Sequence, residues 1–174
     1  MRKSLVDMNL LIVRHAIAVD HGDPGFHRDD DRPLTPDGIH KFRLAARGIQ
    51  EVAPKLDRIV SSPLVRARQT ADILRDTLAP QVEIEFTPLL INGAAFGDLV
   101  APVTGLGAAN VALVGHNPHV SEFAAYLLGG RGASSILFKK GGAALVSFPD
   151  APAPGRGTLE WLIQPGALRD IGSK

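Results

Sequence analysis

Three short stretches of the chain place charged or titratable side chains directly behind apolar residues. Val13-Arg14-His15-Ala16 and Val114-Gly115-His116-Asn117-Pro118 each bring a histidine to the end of such a run, and Val60-Ser61-Ser62-Pro63-Leu64-Val65-Arg66 brings an arginine. If they converge, Arg14, His15, Arg66 and His116 form a pocket for a small, highly charged anion, because arginine offers paired planar donors that match phosphate oxygens. No carboxylate lies in these stretches. A neutral imidazole is a competent nucleophile toward phosphorus and gives a covalent intermediate that water can cleave. The neighbouring cations disfavour the protonated ring and so keep His15 neutral. Charge on the equatorial oxygens of a transferred phosphoryl group would then fall to the two arginines and His116.

For this to happen, the stretches must end on one edge of a sheet. Leu10 to Val13 is a continuous, partly β-branched run, the pattern of a strand covered on both faces. The spacing predicts further strands over 56–60, 82–86, 110–114, 143–148 and 159–163, the last two joined by the hairpin loop Ala-Pro-Ala-Pro-Gly-Arg-Gly. Residues 20–33 read as an aperiodic loop. Thr35 and Pro36 predict the N-cap and first position of a helix that carries Ile39, Phe42, Ala45, Ala46 and Ile49 inward and stops before Pro54. A second helix follows Ser61-Ser62-Pro63, a short one covers about 98–103, and Gly115-His116-Asn117-Pro118 leads into a fourth that runs through Leu128. No internal repeat is present. Strands alternating with helices predict a three-layer α/β/α sandwich with a mainly parallel sheet, and in such sheets ligands bind outside the carboxyl ends of the strands.

The ordered set Val-Arg-His-Ala (13–16), Asp-Arg-Pro-Leu-Thr-Pro-Asp-Gly (31–38), Ser-Ser-Pro-Leu-Val-Arg-Ala-Arg-Gln-Thr-Ala (61–71) and Val-Gly-His-Asn-Pro (114–118) resembles the histidine phosphatase superfamily, with its phosphoglycerate mutase-like fold, and within it the small SixA-like phosphohistidine phosphatase branch. Each motif is short; their order along nearly the whole chain is the specific feature. The resemblance implies that His15 is the phosphorylated nucleophile and that Arg14, Arg66 and His116 hold the phosphoryl group. It also implies a cofactor-free, metal-independent hydrolase. Ala16 stands where the family usually has glycine, a change the small branch also tolerates. Larger relatives carry an acidic proton donor after the third strand, near a Pro-Glu-Leu sequence, whereas this chain reads Thr87-Pro88-Leu89-Leu90. Asp98 is the nearest downstream carboxylate and the candidate general acid, with Asp20 and Asp23 as alternatives. A phosphoester leaves as a basic alkoxide unless protonated, but phosphohistidine can leave as neutral imidazole, so a weak acid site favours nitrogen–phosphorus substrates.

Other residues have second uses to weigh. Ser62 and Asn117 adjoin the central four as candidate phosphate contacts or supports. Arg32 either supports the site or pairs with Asp29 to Asp31, and Arg68 is an alternative to Arg66, which sits nearer the helix start where anions are favoured. His116 and His119 have metal-like spacing but lack a third ligand, so no metal is expected. His21, His27 and the Lys139-Lys140 pair read as solvated. Only 50 positions separate Arg66 from His116, too few for a capping domain. An open site suits a phosphorylated side chain on another protein, such as a histidine-containing phosphotransfer domain, better than a small metabolite needing enclosure. A small-molecule phosphomonoesterase and a phosphate- or phosphohistidine-binding module without turnover are the alternatives.

Composition sets the outer limits. The 174 residues fit one domain spanning 1–174, and 45% hydrophobic with 21% charged residues is ordinary for a folded chain. A net charge of +1 argues against a broad nucleic-acid surface. Cysteine is absent, which removes disulfides and thiolate chemistry. No apolar run approaches the ~20 residues of a membrane span, and the expectation is a cytoplasmic protein. Residues 1–7 read as a dispensable leader, with Met8 as an alternative start.

Overall fold

A computed structural model describes residues 7–130 and 136–174. The leader expected at 1–7 lies, apart from the exposed Asp7, outside the described residues. Six strands, β1 (Met8–Arg14), β2 (Arg58–Ser61), β3 (Ile84–Phe86), β4 (Asn110–Gly115), β5 (Ala143–Phe148) and β6 (Thr158–Ile163), form one sheet in the order β3-β2-β4-β1-β5-β6. The pairs β3-β2, β2-β4 and β4-β1 are parallel, and β1-β5 and β5-β6 are antiparallel. The expected mainly parallel sheet is therefore present, with an antiparallel hairpin at one side.

Alternating residues of β1 face two cores. Leu11 and Val13 pack with Phe42, Ala46 and Ile49 of α1 (Pro36–Val52) and with Ala67, Ala71 and Leu74 of α2 (Val65–Leu78). Leu10 and Ile12 pack on the other face with Leu99 and Val103 of α3 (Phe96–Gly105) and Phe123 and Leu127 of α4 (His119–Gly129). Helices thus cover both faces of the sheet, which is why the central strands read as unbroken apolar runs.

Two strands start later than the spacing-based reading, whereas β1 starts earlier, at Met8. Residues 56–57 precede β2 because the Asp57 carboxylate accepts the Asn110 N–H at 2.9 Å instead of continuing the strand. Val82 donates its N–H to Ala79 in a turn, so β3 starts only at Ile84. At the N-terminus of α1, Thr35 Oγ1 accepts the Gly38 N–H at 2.9 Å, as the cap expectation required. Gly38 is needed there, since a Cβ would lie 2.1 Å from the Ile17 carbonyl oxygen.

The larger correction is at the C-terminus. The chain does not close on the strand ending at Ile163 but continues into α5 (Pro165–Gly172). Pro165 occupies the first turn, and the buried Leu168 docks against α1. The contact is so close that a Cβ on Gly48 would sit 2.0 Å from the Leu168 carbonyl oxygen.

Candidate active site

The carboxyl ends of β1, β2 and β4 are locked together by their backbones. Arg14 pairs with Gly115 in the parallel ladder, His15 N–H donates to the Gly115 carbonyl at 2.9 Å, and Ser62 N–H donates to the Val114 carbonyl at 2.9 Å. His15 and His116 follow these paired positions, and their ring centroids lie 5.0 Å apart. Arg66, in the first turn of α2, and Arg14 both depress the proton affinity of the two rings. His15, Arg66 and His116 are 7%, 6% and 3% exposed.

Burial and then the neighbouring His116 push the His15 pKa down to about 3, with smaller contributions from Arg66 and Arg14 and against a hydrogen bond to Ala16 that raises it. Burial followed by the Arg66 charge pushes His116 down to about 4, against the opposing charge of Asp29. Both rings are neutral at pH 7. Burial contributes more to this than the cations to which the sequence pattern attributes it.

Hydrogen bonds then assign the His15 proton. Its Nδ1 lies 2.7 Å from the Ala16 carbonyl oxygen, which can only accept, so Nδ1 carries the hydrogen and Nε2 keeps its lone pair. The Ala16 backbone is held in turn by Thr70, whose Oγ1 accepts the Ala16 N–H at 3.0 Å while donating to the Arg66 carbonyl at 2.7 Å. His116 Nε2 is 2.8 Å from Ser62 Oγ. Arg14 Nη1 donates to the Phe138 carbonyl at 2.7 Å, and the Asn117 amide donates to the same oxygen at 3.0 Å. What remains is a set of buried polar atoms without partners among the described residues, on three of the four side chains: Arg14 Nε, Arg66 Nε and His116 Nδ1. Buried donors are rarely left unpaired, and such a set marks a place for an anion.

Asp29 was missed as a site residue. It sits in a single 3₁₀ turn, Asp29–Asp31, within the loop that reads as aperiodic, and it pairs with both Arg66 and Arg32. The expected pairing of Arg32 with the acidic run is therefore present, and it leads on to the site. The run of five charges before Pro33, Arg28 to Arg32, signals pairing, but nothing in it points to Arg66. Thr70 was also unmarked, although it lies four residues after Arg66 on the same helix face.

Of the other expected candidates, some are exposed and others are engaged in contacts of their own. Asp98 is exposed in the first turn of α3, and its side chain makes no hydrogen bond or ion pair with a described residue; the carboxylate whose charge acts on His116 is Asp29. Asp20 is exposed, and Asp23 accepts the Gly25 N–H within its own loop. The Asn117 side chain is committed to Phe138 and to the Ser121 hydroxyl. Arg68 stacks over Phe86 at 4.9 Å on the sheet edge. The His119 ring packs 5.1 Å from Phe96, a backbone hydrogen bond to Leu89 counters the burial that lowers its pKa, and its own charge helps to lower that of His116. His21, His27 and the Lys139-Lys140 pair are exposed, as read.

The model of the histidine phosphatase superfamily (branch 1) matches residues 10–99. The phosphohistidine phosphatase SixA of Escherichia coli is 30% identical over 155 residues, covering 86% of this chain and 92% of its own length. A structure of the protein histidine phosphatase SixA complexed with tungstate superposes with a TM-score of 0.79 at 29% identity, over 92% of this chain and 99% of that one. Phosphoglycerate mutase of Bacillus anthracis shares the fold, with a TM-score of 0.68 at 13% identity and 98% coverage of both chains. No helix among the described residues is long and apolar enough to cross a membrane. With its matched family model, its SixA relative and its phosphoglycerate mutase fold, the chain belongs to branch 1 of the histidine phosphatase superfamily and is a phosphatase of that superfamily.

Proposed function

We propose that the protein removes the phosphoryl group from phosphohistidine on a signalling or phosphotransfer protein, through a phosphohistidine intermediate on His15. The observation that carries this reading is the trio of unpartnered buried atoms, Arg14 Nε, Arg66 Nε and His116 Nδ1, beside a histidine whose proton is held on the nitrogen away from the chemistry. The tungstate complex of the SixA relative supports a tetrahedral oxyanion as the occupant.

The steps follow from the tautomer. His15 Nε2 attacks phosphorus, a new N–P bond forms, and the bond to the substrate nitrogen breaks with its electron pair leaving on that nitrogen. When the other nitrogen of the substrate ring already carries a proton, the leaving group departs as neutral imidazole and needs no acid from the enzyme. Phosphorylated His15 carries phosphorus on Nε2 and hydrogen on Nδ1, so it is a cation beside the Ala16 carbonyl oxygen. Water then attacks phosphorus, its proton passing to the released phosphate or to solvent, and His15 leaves as the neutral ring it was at the start. Arg14, Arg66 and His116 supply donors to the equatorial oxygens throughout. Asp29, the carboxylate that acts on the site, is already shared between two arginines and is poorly placed to donate a proton. This again favours nitrogen–phosphorus over ester substrates.

The test uses a phosphohistidine-bearing phosphotransfer protein and a panel of phosphate esters, compared by kcat/KM. The expected outcome is preference for the protein, survival of activity in EDTA, inhibition by vanadate, and an acid-labile, alkali-stable phosphate trapped on the wild type but not on His15→Ala. Higher kcat/KM on esters would reassign the substrate to a small phosphomonoester. Binding with no turnover and no labelled His15 would make the protein a recognition module. Loss of activity in chelator with no trapped intermediate would defeat the mechanism.

A further inference from the structure

Arg66 is gripped from outside the pocket before any anion arrives. Its Nη1 donates to the Asp29 carbonyl oxygen at 2.7 Å and its Nη2 to Asp29 Oδ2 at 2.9 Å. Two bonds to one residue from the two terminal nitrogens occupy the end-on edge of the planar guanidinium. The edge left over is the side-on one, Nε–H with the second Nη2 hydrogen, and its Nε is buried without a partner. The other Asp29 oxygen, Oδ1, is taken by Arg32, at 2.9 Å from Nε and 2.7 Å from Nη2, and Arg32 Nη1 donates to the Val19 carbonyl. A chain of contacts therefore runs from Val19 through Arg32 and Asp29 to Arg66.

We infer that Asp29 is a positioning residue that holds Arg66 by its end-on edge and thereby turns the side-on pair of donors toward the phosphoryl group. The inference rests on the proposal that Arg66 binds that group. Arginine has many rotamers, and a guanidinium ordered in advance spares the loss of that freedom when the anion binds. Asp29 can do this without opposing the anion because each of its oxygens already faces a cation. The opposite role, a carboxylate that blocks Arg66 and must be displaced, fits less well: Arg32 anchors Oδ1, and the backbone carbonyl of the same residue shares the grip.

The two roles predict opposite signs. Vanadate inhibition and kcat/KM toward a phosphohistidine protein would be measured for the wild type and for Asp29→Ala, Asp29→Asn and Asp30→Ala, with unfolding midpoints alongside. Among the described residues Asp30 pairs with the exposed Arg28 alone, and it serves as the control for the loop. For positioning, Asp29→Ala weakens vanadate binding and lowers kcat/KM, each roughly tenfold or more, the usual scale for a charge-assisted hydrogen bond. Asp29→Asn, which keeps an acceptor oxygen, recovers part of both, and Asp30→Ala matches the wild type with all midpoints unchanged. Vanadate binding as tight as or tighter than wild type in Asp29→Ala would overturn the inference. A wild type that binds no vanadate would instead overturn the reading of the four-residue pocket, and this inference with it.

Discussion

In the free site the His15 proton sits on Nδ1 against the Ala16 carbonyl, and this decides where positive charge appears once Nε2 is phosphorylated. The ring becomes a cation in a buried setting that already drives its pKa to about 3, so the intermediate is poised to shed its phosphoryl group and return to neutrality. The same logic applies to the second ring. Ser62 Oγ bonds His116 Nε2 and also accepts the Leu64 N–H at 3.3 Å, which orients the ring and leaves Nδ1 for the anion. Ser62→Ala should lower kcat/KM roughly tenfold, in line with about 1–1.5 kcal/mol for a lost buried hydrogen bond. Steady-state kinetics with thermal melts checks this, and an unchanged kcat/KM would remove Ser62 from the site.

Away from the site, two helices are held together by a close backbone contact that tolerates little added volume. Gly48 of α1 and Leu168 of α5 meet at a distance that leaves no room for a methyl group. Gly48→Ala should cost about 1–3 kcal/mol by overpacking, read as a lower urea midpoint with the slope unchanged. Legibility in the sequence divided along the same lines. Arg14, His15, Arg66 and His116 stood out because each breaks an apolar run, and the parallel strands stood out because both their faces are covered. Asp29 and Thr70 did not, since their parts are played across 37 and 54 positions by one or two hydrogen bonds that leave no local pattern. α5 was lost because its eight residues hold one buried apolar side chain, Leu168, too little to show a period.

For the whole molecule, buried neutral histidines couple folding to acidity. His15 and His116 titrate at about 3 and 4 when folded, and His119 is also lowered, whereas an unfolded histidine titrates near 6.5. Between those values the unfolded chain binds more protons than the folded one. The stability these groups permit is complete above pH ~6.5 and is lost as pH falls toward 4, at about 1.4 kcal/mol per pH unit for each of His15 and His116. Urea midpoints measured from pH 7.5 to 5 should decline, and His15→Asn should decline less steeply by about one such increment. Equal slopes for the two proteins would show that His15 is not held neutral.

The β1-β4 ladder carries one more implication. His15 and His116 each begin one step beyond the paired residues Arg14 and Gly115, so the spacing of the two rings is counted off in whole rungs of a shared parallel ladder. Inserting or deleting a single residue in either strand would reverse the facing of that strand's side chains and carry its ring to the opposite face of the sheet. Lineages descending from such a chain can vary in the loop before α3, but a length change in one of these two strands preserves the pocket only when the other changes in step.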